Sequence, residues 1–248
     1  SPAETVVMVC AGVFMSAFKG GIYIPLLLLL FMIPKRNFGE KVKYPVVVAS
    51  AILLAVGTFA AVNSNIFKDV SSSTSGSENE LMWTESEGFT LRRMFTHPKE
   101  ALCMLFNTFF LMGGTHYAEM FASGFGWLQI YTSGFLTAGF TVLMVLTLLN
   151  CEGREICFNK KQRIISLSAA AVSIFIIVIS MWIFWTPAGS AHIVGLQGRY
   201  FIPLLFCAVY PLKNSRCIIK KDIGGGIIFA AVMFHALTFW EIYIRMAV

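Results

Sequence analysis

Long apolar runs constrain the fold of this chain more than any other feature of its sequence. The runs 44–62, 131–149, 164–185 and 223–245 approach or exceed the ~20 residues that a helix needs to cross a bilayer. Across the 248 residues, 57% are hydrophobic and 13% are charged, which is about half the charged share of an ordinary soluble domain. The sequence therefore predicts an all-α fold, a polytopic transmembrane helical bundle.

Other apolar segments are too short to cross a bilayer alone, so short or broken helices are expected within this bundle. The segments 5–18 and 22–33 flank Lys19-Gly20-Gly21 and are compatible with a shallow hairpin, and 200–210 is a third short segment. A further helix is predicted from Lys99 to about Tyr117, because Pro98 suits the first turn of a helix.

The distribution of charge predicts the orientation of these segments. Basic residues concentrate in the loops 35–43, 154–163 and 213–221, as in cytoplasmic loops, so the net charge of +6 does not indicate nucleic-acid binding. The stretch 63–100 holds six acids against four bases, which predicts an outer loop at 63–97. If 99–117 crossed the membrane, loop 154–163 would lie outside against its charge. We therefore expect 99–117 to re-enter the membrane or to lie in its outer interface, within a single transmembrane domain over 1–248.

The most informative motif is Gly195-Leu196-Gln197-Gly198-Arg199-Tyr200, where the chain returns to an apolar segment. An arginine at such a boundary is costly unless it meets an anion, a carboxylate or water. The glycines allow a tight turn and a close approach of the backbone to a ligand. Arg199 is therefore a candidate phosphate-binding residue, with Gln197 and Tyr200 as neighbours. The alternatives are a guanidinium that snorkels to interfacial water, or one that pairs with Glu119 or Glu241.

Under this topology, a cationic surface with aromatic residues at its rim forms on the outer face. Its members, besides the motif, are Lys19, Trp127, His192, Arg92, Arg93 and His97. Such a surface suits a lipid that carries phosphate or pyrophosphate. Lys19 is alternatively a snorkelling helix end, and Trp127 an aromatic residue of the membrane interface. His116 and His235 have no partner in helical register and are interpreted as packing residues.

The cysteines and the first residues bear on cofactors and on chain length. The six cysteines match no zinc-ligand spacing, so no metal, disulfide or other cofactor is expected in this stretch. A divalent metal that needs residues outside this sequence stays open. The chain begins Ser1-Pro2 without methionine and without the pattern of a signal peptide, so it is expected to be a piece of a longer protein.

A family resemblance rests on two neighbouring stretches, Trp185-Thr186-Pro187-Ala188-Gly189 and Gly195-Leu196-Gln197-Gly198-Arg199-Tyr200-Phe201-Ile202-Pro203. Weaker matches follow in the same order: Lys19 with Tyr23-Ile24-Pro25-Leu26, His97-Pro98 with Thr108, and Gly126-Trp127-Leu128. Together they resemble a bacterial membrane-protein family, domain of unknown function 2142, which is grouped with the GT-C glycosyltransferases. The resemblance covers nearly the whole chain but only the C-terminal half of the family's length. The chain departs from the pattern at Gln129, where aspartate is expected, and at Gly20-Gly21, where a proline is usual.

The resemblance implies an integral-membrane glycosyltransferase of the bacterial cytoplasmic membrane. Its donor would be a polyprenyl-phosphate-linked sugar, and its acceptor an envelope polysaccharide or related saccharide on the outer face. An acceptor hydroxyl would attack the anomeric carbon with inversion, while Arg199, with Lys19 as second cation, stabilises the departing lipid phosphate. The family's acidic motif is absent here, so the catalytic base is expected outside this sequence.

The expected partners are membrane lipids, the donor and the acceptor, without nucleic acid. Two alternatives stay open. One is a transporter or flippase of a lipid-linked or anionic substrate, which would favour charged or broken helices near the bilayer midplane. The other is a non-catalytic membrane scaffold in which Arg199 is paired internally.

Overall fold

The computed structural model describes residues 7, 10, 11, 13, 14, 21–32, 44–62, 88–150, 158–213 and 217–247, without the side chains of Tyr44, Val62 and Trp127. Within these ranges the chain is helical, and its β-type pairings are isolated bridges. The α-helices are α1 (Tyr44–Val62), α2 (Leu91–Thr96), α3 (Pro98–Phe106), α4 (Gly113–Phe121), α5 (Phe125–Leu128), α6 (Gly134–Leu149), α7 (Lys160–Trp185), α8 (Ile202–Val209) and α9 (Gly224–Ala247). Short 3-10 helices cover Ile24–Met32, Gly198–Phe201 and Tyr210–Leu212, and a π-helical turn covers Asn107–Leu111. The all-α prediction is confirmed for this part of the chain.

Two of these helices, α7 with 26 residues and α9 with 24, are long and apolar enough to cross a membrane. Helices α1 and α6 are apolar but shorter, as is the segment Gly198–Leu212. The observed bounds of α1 coincide with the predicted run. Helix α7 begins before its predicted start because Asn159 and Gln162 cap it reciprocally, each side chain accepting the other's backbone N–H at 2.9–3.0 Å.

The helix predicted at 99–117 is broken into two. Pro98 opens α3 as expected, but the π-helical turn Asn107–Leu111 separates α3 from α4, which extends to Phe121. Each of these helices has nine residues, well short of the ~20 needed to cross a bilayer alone.

The described part of the predicted outer loop 63–97 is packed rather than irregular. Phe89 is fully buried, with its ring centroid 5.3 Å from that of Trp182. Helix α2 follows, and Thr90 caps it by accepting the Arg93 amide. Burial of one aromatic side chain therefore orders the end of this loop, and residues 63–87 lie outside the described ranges.

The chain divides into two compact units. The first comprises Ser1–Phe109 and Ile164–Leu196, and the second comprises Phe110–Arg163 and Gln197–Val248. In the first unit, the 3-10 helix Ile24–Met32 packs against α1. The buried residues of this contact are Leu27, Leu30, Val48, Ala51 and Ala55.

In the second unit, α6 and α9 form an antiparallel pair that is tied at both ends. At one end, Asn150 after α6 accepts the Ile223 amide and donates to Asp222, both at 3.2 Å. At the other end, Ser133 before α6 donates its amide and hydroxyl to Glu241 at 2.8 and 2.9 Å. Helices α6 and α9 therefore run in opposite directions.

Candidate functional site

The turn Gly198–Phe201 lies directly against α4, and Gly198 makes the closest approach. Its amide donates to Oε2 of Glu119 at 2.6 Å. A Cβ atom on Gly198 would lie 2.6 Å from Cβ of Glu119 and closer still to the carbonyl oxygen of His116. Only glycine fits at this position, because any side chain would push the turn away from α4. The close approach predicted for this glycine is therefore to a helix of the protein itself.

Glu119 is a buried carboxylate bound from two sides. Besides the Gly198 amide, it accepts a hydrogen bond from Nδ1 of His116 at 3.4 Å. Burial raises the pKa of the Glu119 carboxyl. The hydrogen bonds from His116 and Gly198, together with attraction to His116 and Arg199, outweigh burial and lower this pKa below its ordinary value. Glu119 is therefore an anion at neutral pH and binds the turn to α4.

Two side-chain polar atoms near Gly198 are buried without a hydrogen-bond partner among the described residues. They are Nε2 of His116 and Oε1 of Gln197. An unsatisfied buried polar atom costs about 1–3 kcal/mol, so such atoms are uncommon in folded proteins and often mark functional sites. Both belong to residues that flank Gly198, so polar atoms without a partner are concentrated at this junction.

Arg199 lies on the same turn and is exposed. Within the described ranges, its guanidinium makes no ion pair and no hydrogen bond. The two carboxylates considered as its partners are engaged elsewhere, Glu119 with Gly198 and His116, and Glu241 with Ser133 and Arg245. The structure thus presents an available cation on a turn whose backbone is fixed by the Gly198–Glu119 contact.

Comparison with known protein families gives a match over most of this chain. Residues 1–208 match the family described as "Predicted membrane protein (DUF2142)". The chain belongs to this family. The matched residues include the Gly198–Phe201 turn and end within α8, so that α9 lies beyond them. No curated protein and no solved structure matches the chain.

The predicted site residues of this DUF2142 protein are only partly brought together. Gln197, Arg199 and Tyr200 share one turn in the second unit. Trp127 lies on α5 of that unit, but its side chain is outside the part of the protein that the structure describes. The whole of Lys19 also lies outside the described residues. His192 is half-buried in the loop 186–196 of the first unit.

Two threonines from the stretches that carry the family resemblance anchor this loop. The hydroxyl of Thr108 accepts the Ile193 amide at 2.9 Å, and that of Thr186 accepts the Val194 amide at 3.1 Å. Both side chains are fully buried, and each also donates to a carbonyl near the end of a helix. Their role in this DUF2142 chain is therefore structural, since they fix the loop that precedes the motif.

One sequence interpretation needs correction, and one predicted surface residue has a partner. His116 is not only a packing residue, because its imidazole donates a hydrogen bond to Glu119. The two residues are three positions apart on one helix, a spacing that indicates contact between their side chains. Arg93, counted with the cationic outer surface, forms an ion pair with Glu100 at 3.2 Å and lies over the Phe89 ring.

Proposed function

We propose that this DUF2142 protein acts as a multi-pass glycosyltransferase of the GT-C type in the bacterial cytoplasmic membrane. It takes a sugar from a polyprenyl-phosphate donor and transfers it to an envelope polysaccharide or related acceptor on the outer face. Membership in a family of predicted membrane proteins and the two long apolar helices support the membrane setting.

The observation that carries this proposal is the exposed guanidinium of Arg199 on a fixed turn. Arginine binds two phosphate oxygens at once, which suits a lipid phosphate at the membrane boundary. Because no carboxylate of the described residues pairs with Arg199, a phosphate need not displace an existing partner. Gln197 and Tyr200 are neighbours of Arg199 at this turn, and we assign them to the donor site with it.

The proposed reaction is a displacement at the anomeric carbon of the donor sugar. An acceptor hydroxyl oxygen forms the new bond to this carbon, and the bond from the carbon to the phosphate oxygen breaks with its electron pair on the phosphate. A carboxylate base, which the resemblance assigns to an outer-loop motif outside this sequence, takes the acceptor proton. Arg199 stabilises the negative charge that develops on the departing lipid phosphate.

In this proposal, Glu119 is a positioning residue. Its buried carboxylate already accepts from the Gly198 amide and His116, so it is poorly placed to take a proton from an acceptor. Instead, it fixes the backbone immediately before Arg199. Such fixation lets the guanidinium bind phosphate without first ordering the turn, which lowers the entropic cost of binding.

A flippase of lipid-linked sugars is the second candidate. It is favoured by the π-helical break between α3 and α4 and by the short helices of the segment Gly198–Leu212. Transporters use such discontinuous helices to bind substrates within the membrane. A flippase would move the donor lipid between leaflets without breaking the bond to its sugar, and a transferase would break it.

The experiment that separates these functions uses the full chain in sealed proteoliposomes with radiolabelled polyprenyl-phosphate sugars. The proposal predicts a labelled saccharide product of inverted anomeric configuration when an acceptor extract from bacterial envelopes is present. Lys161→Ala, at an exposed residue in the first turn of α7, serves as the control variant and should match the wild type. Movement of intact donor across the bilayer without product would support the flippase instead.

A further inference from the structure

We infer that a pocket between the segment 129–131 and the last turns of α9 binds a neutral saccharide. The pocket has a volume of about 600 Å³ and lies within the second unit. Its lining residues are Gln129, Ile130, Tyr131, Glu241, Ile244 and Arg245. This volume is within the range of small-molecule sites and can hold two or three sugar rings.

The polar groups of the lining suit hydroxyl groups. The side chains of Gln129 and Tyr131 are exposed, and neither has a hydrogen-bond partner among the described residues. A carboxamide both donates and accepts hydrogen bonds, and a phenol can do the same, which matches the dual character of sugar hydroxyls. The Tyr131 ring, 47% exposed, also offers a flat apolar face on which a pyranose can stack.

The charges of the pocket favour a neutral ligand over a phosphate. Arg245 donates from Nε and Nη2 to the same oxygen of Glu241, at 3.1 and 2.8 Å. Ser133 also donates twice to Glu241, so this carboxylate is fixed in place. The ion pair balances the charge of the pocket, whereas Arg199 has no ion-pair partner within the part of the chain that the structure describes. The N–H groups of Arg245 that do not bind Glu241 can donate hydrogen bonds to a hydroxyl-rich ligand.

The wall formed by 129–131 is held in shape before any ligand binds. Phe125 and Ile130 exchange two backbone hydrogen bonds, at 3.1 and 3.4 Å, across the turn between them. Within this turn, Leu128 has a φ of 62°, a left-handed conformation that leucine rarely adopts. Backbone strain of this kind persists only where the surroundings enforce it, and it concentrates at binding and catalytic sites.

Exposed aromatic residues near the pocket suit a position at a membrane boundary. Trp240 and Tyr243 on α9 are 62% and 65% exposed, as in the aromatic belts of membrane proteins. A saccharide attached to a membrane lipid would reach a pocket at this depth. That this saccharide is the acceptor of the transfer reaction rests on the proposed function, whereas saccharide binding itself does not.

The test is a binding measurement on the purified full chain in nanodiscs, by saturation-transfer NMR. The probes are maltotriose, cellotriose and chitotriose, with dihexanoyl phosphatidylglycerol as an anionic headgroup for comparison. We expect at least one trisaccharide to bind, and Tyr131→Ala or Gln129→Ala to weaken its affinity about tenfold. Tyr243→Ala removes a tyrosine ring that is also exposed but lies outside the pocket lining, and it should change the affinity less than twofold.

Two results would overturn the inference: no trisaccharide binds, or its affinity is the same in the pocket variants and the wild type. Preferential binding of the phosphatidylglycerol through Tyr131 and Gln129 would also overturn it, because it would identify a lipid-headgroup site. Circular dichroism and gel filtration of each variant separate loss of binding from loss of folding. If trisaccharides bind but no sugar is transferred, the transferase is refuted and the saccharide pocket is supported. If sugar is transferred but no trisaccharide binds, the pocket is refuted and the transferase is supported.

Discussion

Replacing Gly198 with alanine is expected to destabilise the protein strongly, because the new Cβ has no room. It would lie 2.6 Å from Cβ of Glu119, and real contacts of this kind stay beyond 3.0 Å. The obstacle is the backbone and stem of α4, which cannot rotate away as a flexible side chain could. The turn must therefore move outward and lengthen the 2.6 Å hydrogen bond from the Gly198 amide to Glu119.

The size of this effect follows from two contributions. Loss of a hydrogen bond to a charged group costs about 1.5–3 kcal/mol, and overpacking costs about 1–3 kcal/mol. A destabilisation of about 3 kcal/mol or more is therefore expected. For a chain of this length, each kcal/mol lowers the melting temperature by about 2–4 °C, so Gly198→Ala should melt roughly 6–12 °C below the wild type.

The assay is the thermal unfolding of both proteins in the same detergent, followed by intrinsic fluorescence. Gly114→Ala is the matched control, because this glycine lies on α4 and a Cβ there would meet nothing within 4 Å. The control should melt at or slightly above the wild-type temperature, since alanine favours a helix over glycine. If Gly198→Ala melted within 2 °C of the wild type, the close contact between the turn and α4 would be refuted.

Two further predictions concern stability. Because folding lowers the pKa of Glu119, its contribution to the free energy of unfolding is complete above its ordinary pKa of about 4.3 and is lost as the pH falls through the lower, folded-state pKa. The difference in melting temperature between the wild type and Glu119→Gln should therefore shrink on acidification from pH 6 to pH 3. A constant difference would contradict this prediction. Thr108→Val leaves the buried Ile193 amide without its acceptor and should cost about 1–3 kcal/mol, with faster hydrogen exchange at that amide. Unchanged exchange there would show that Thr108 does not anchor the loop.

The helices were largely predictable because membrane-length apolar runs are a local property of the sequence. The bounds of α1 coincide with its run, and α9 differs from its prediction by little at either end. Helix α7 begins earlier than predicted, because the basic residues near 160 were assigned to a cytoplasmic loop. The reciprocal cap between Asn159 and Gln162 brings them into the first turn.

The candidate site was predictable only in part, because its contacts join distant parts of the sequence. The Gln197–Tyr200 motif was identified, and Glu119 was named as a partner for Arg199. However, 79 residues separate Glu119 from Gly198, and no spacing rule indicates that the carboxylate binds this amide rather than the guanidinium. The saccharide pocket was missed for the same reason, since Ser133 and Glu241 meet across 108 residues.

If Arg199 stabilises a departing lipid phosphate during sugar transfer, its replacement must lower the transfer rate at saturating donor. Arg199→Ala should lower this rate by about 10²–10³-fold, the usual effect of removing one group that stabilises developing negative charge. Arg199→Lys should fall between this variant and the wild type, because lysine keeps the charge but loses the bidentate geometry. All three proteins should insert into membranes and melt alike. A folded Arg199→Ala protein that transfers sugar at the wild-type rate would show that Arg199 does not stabilise the departing phosphate.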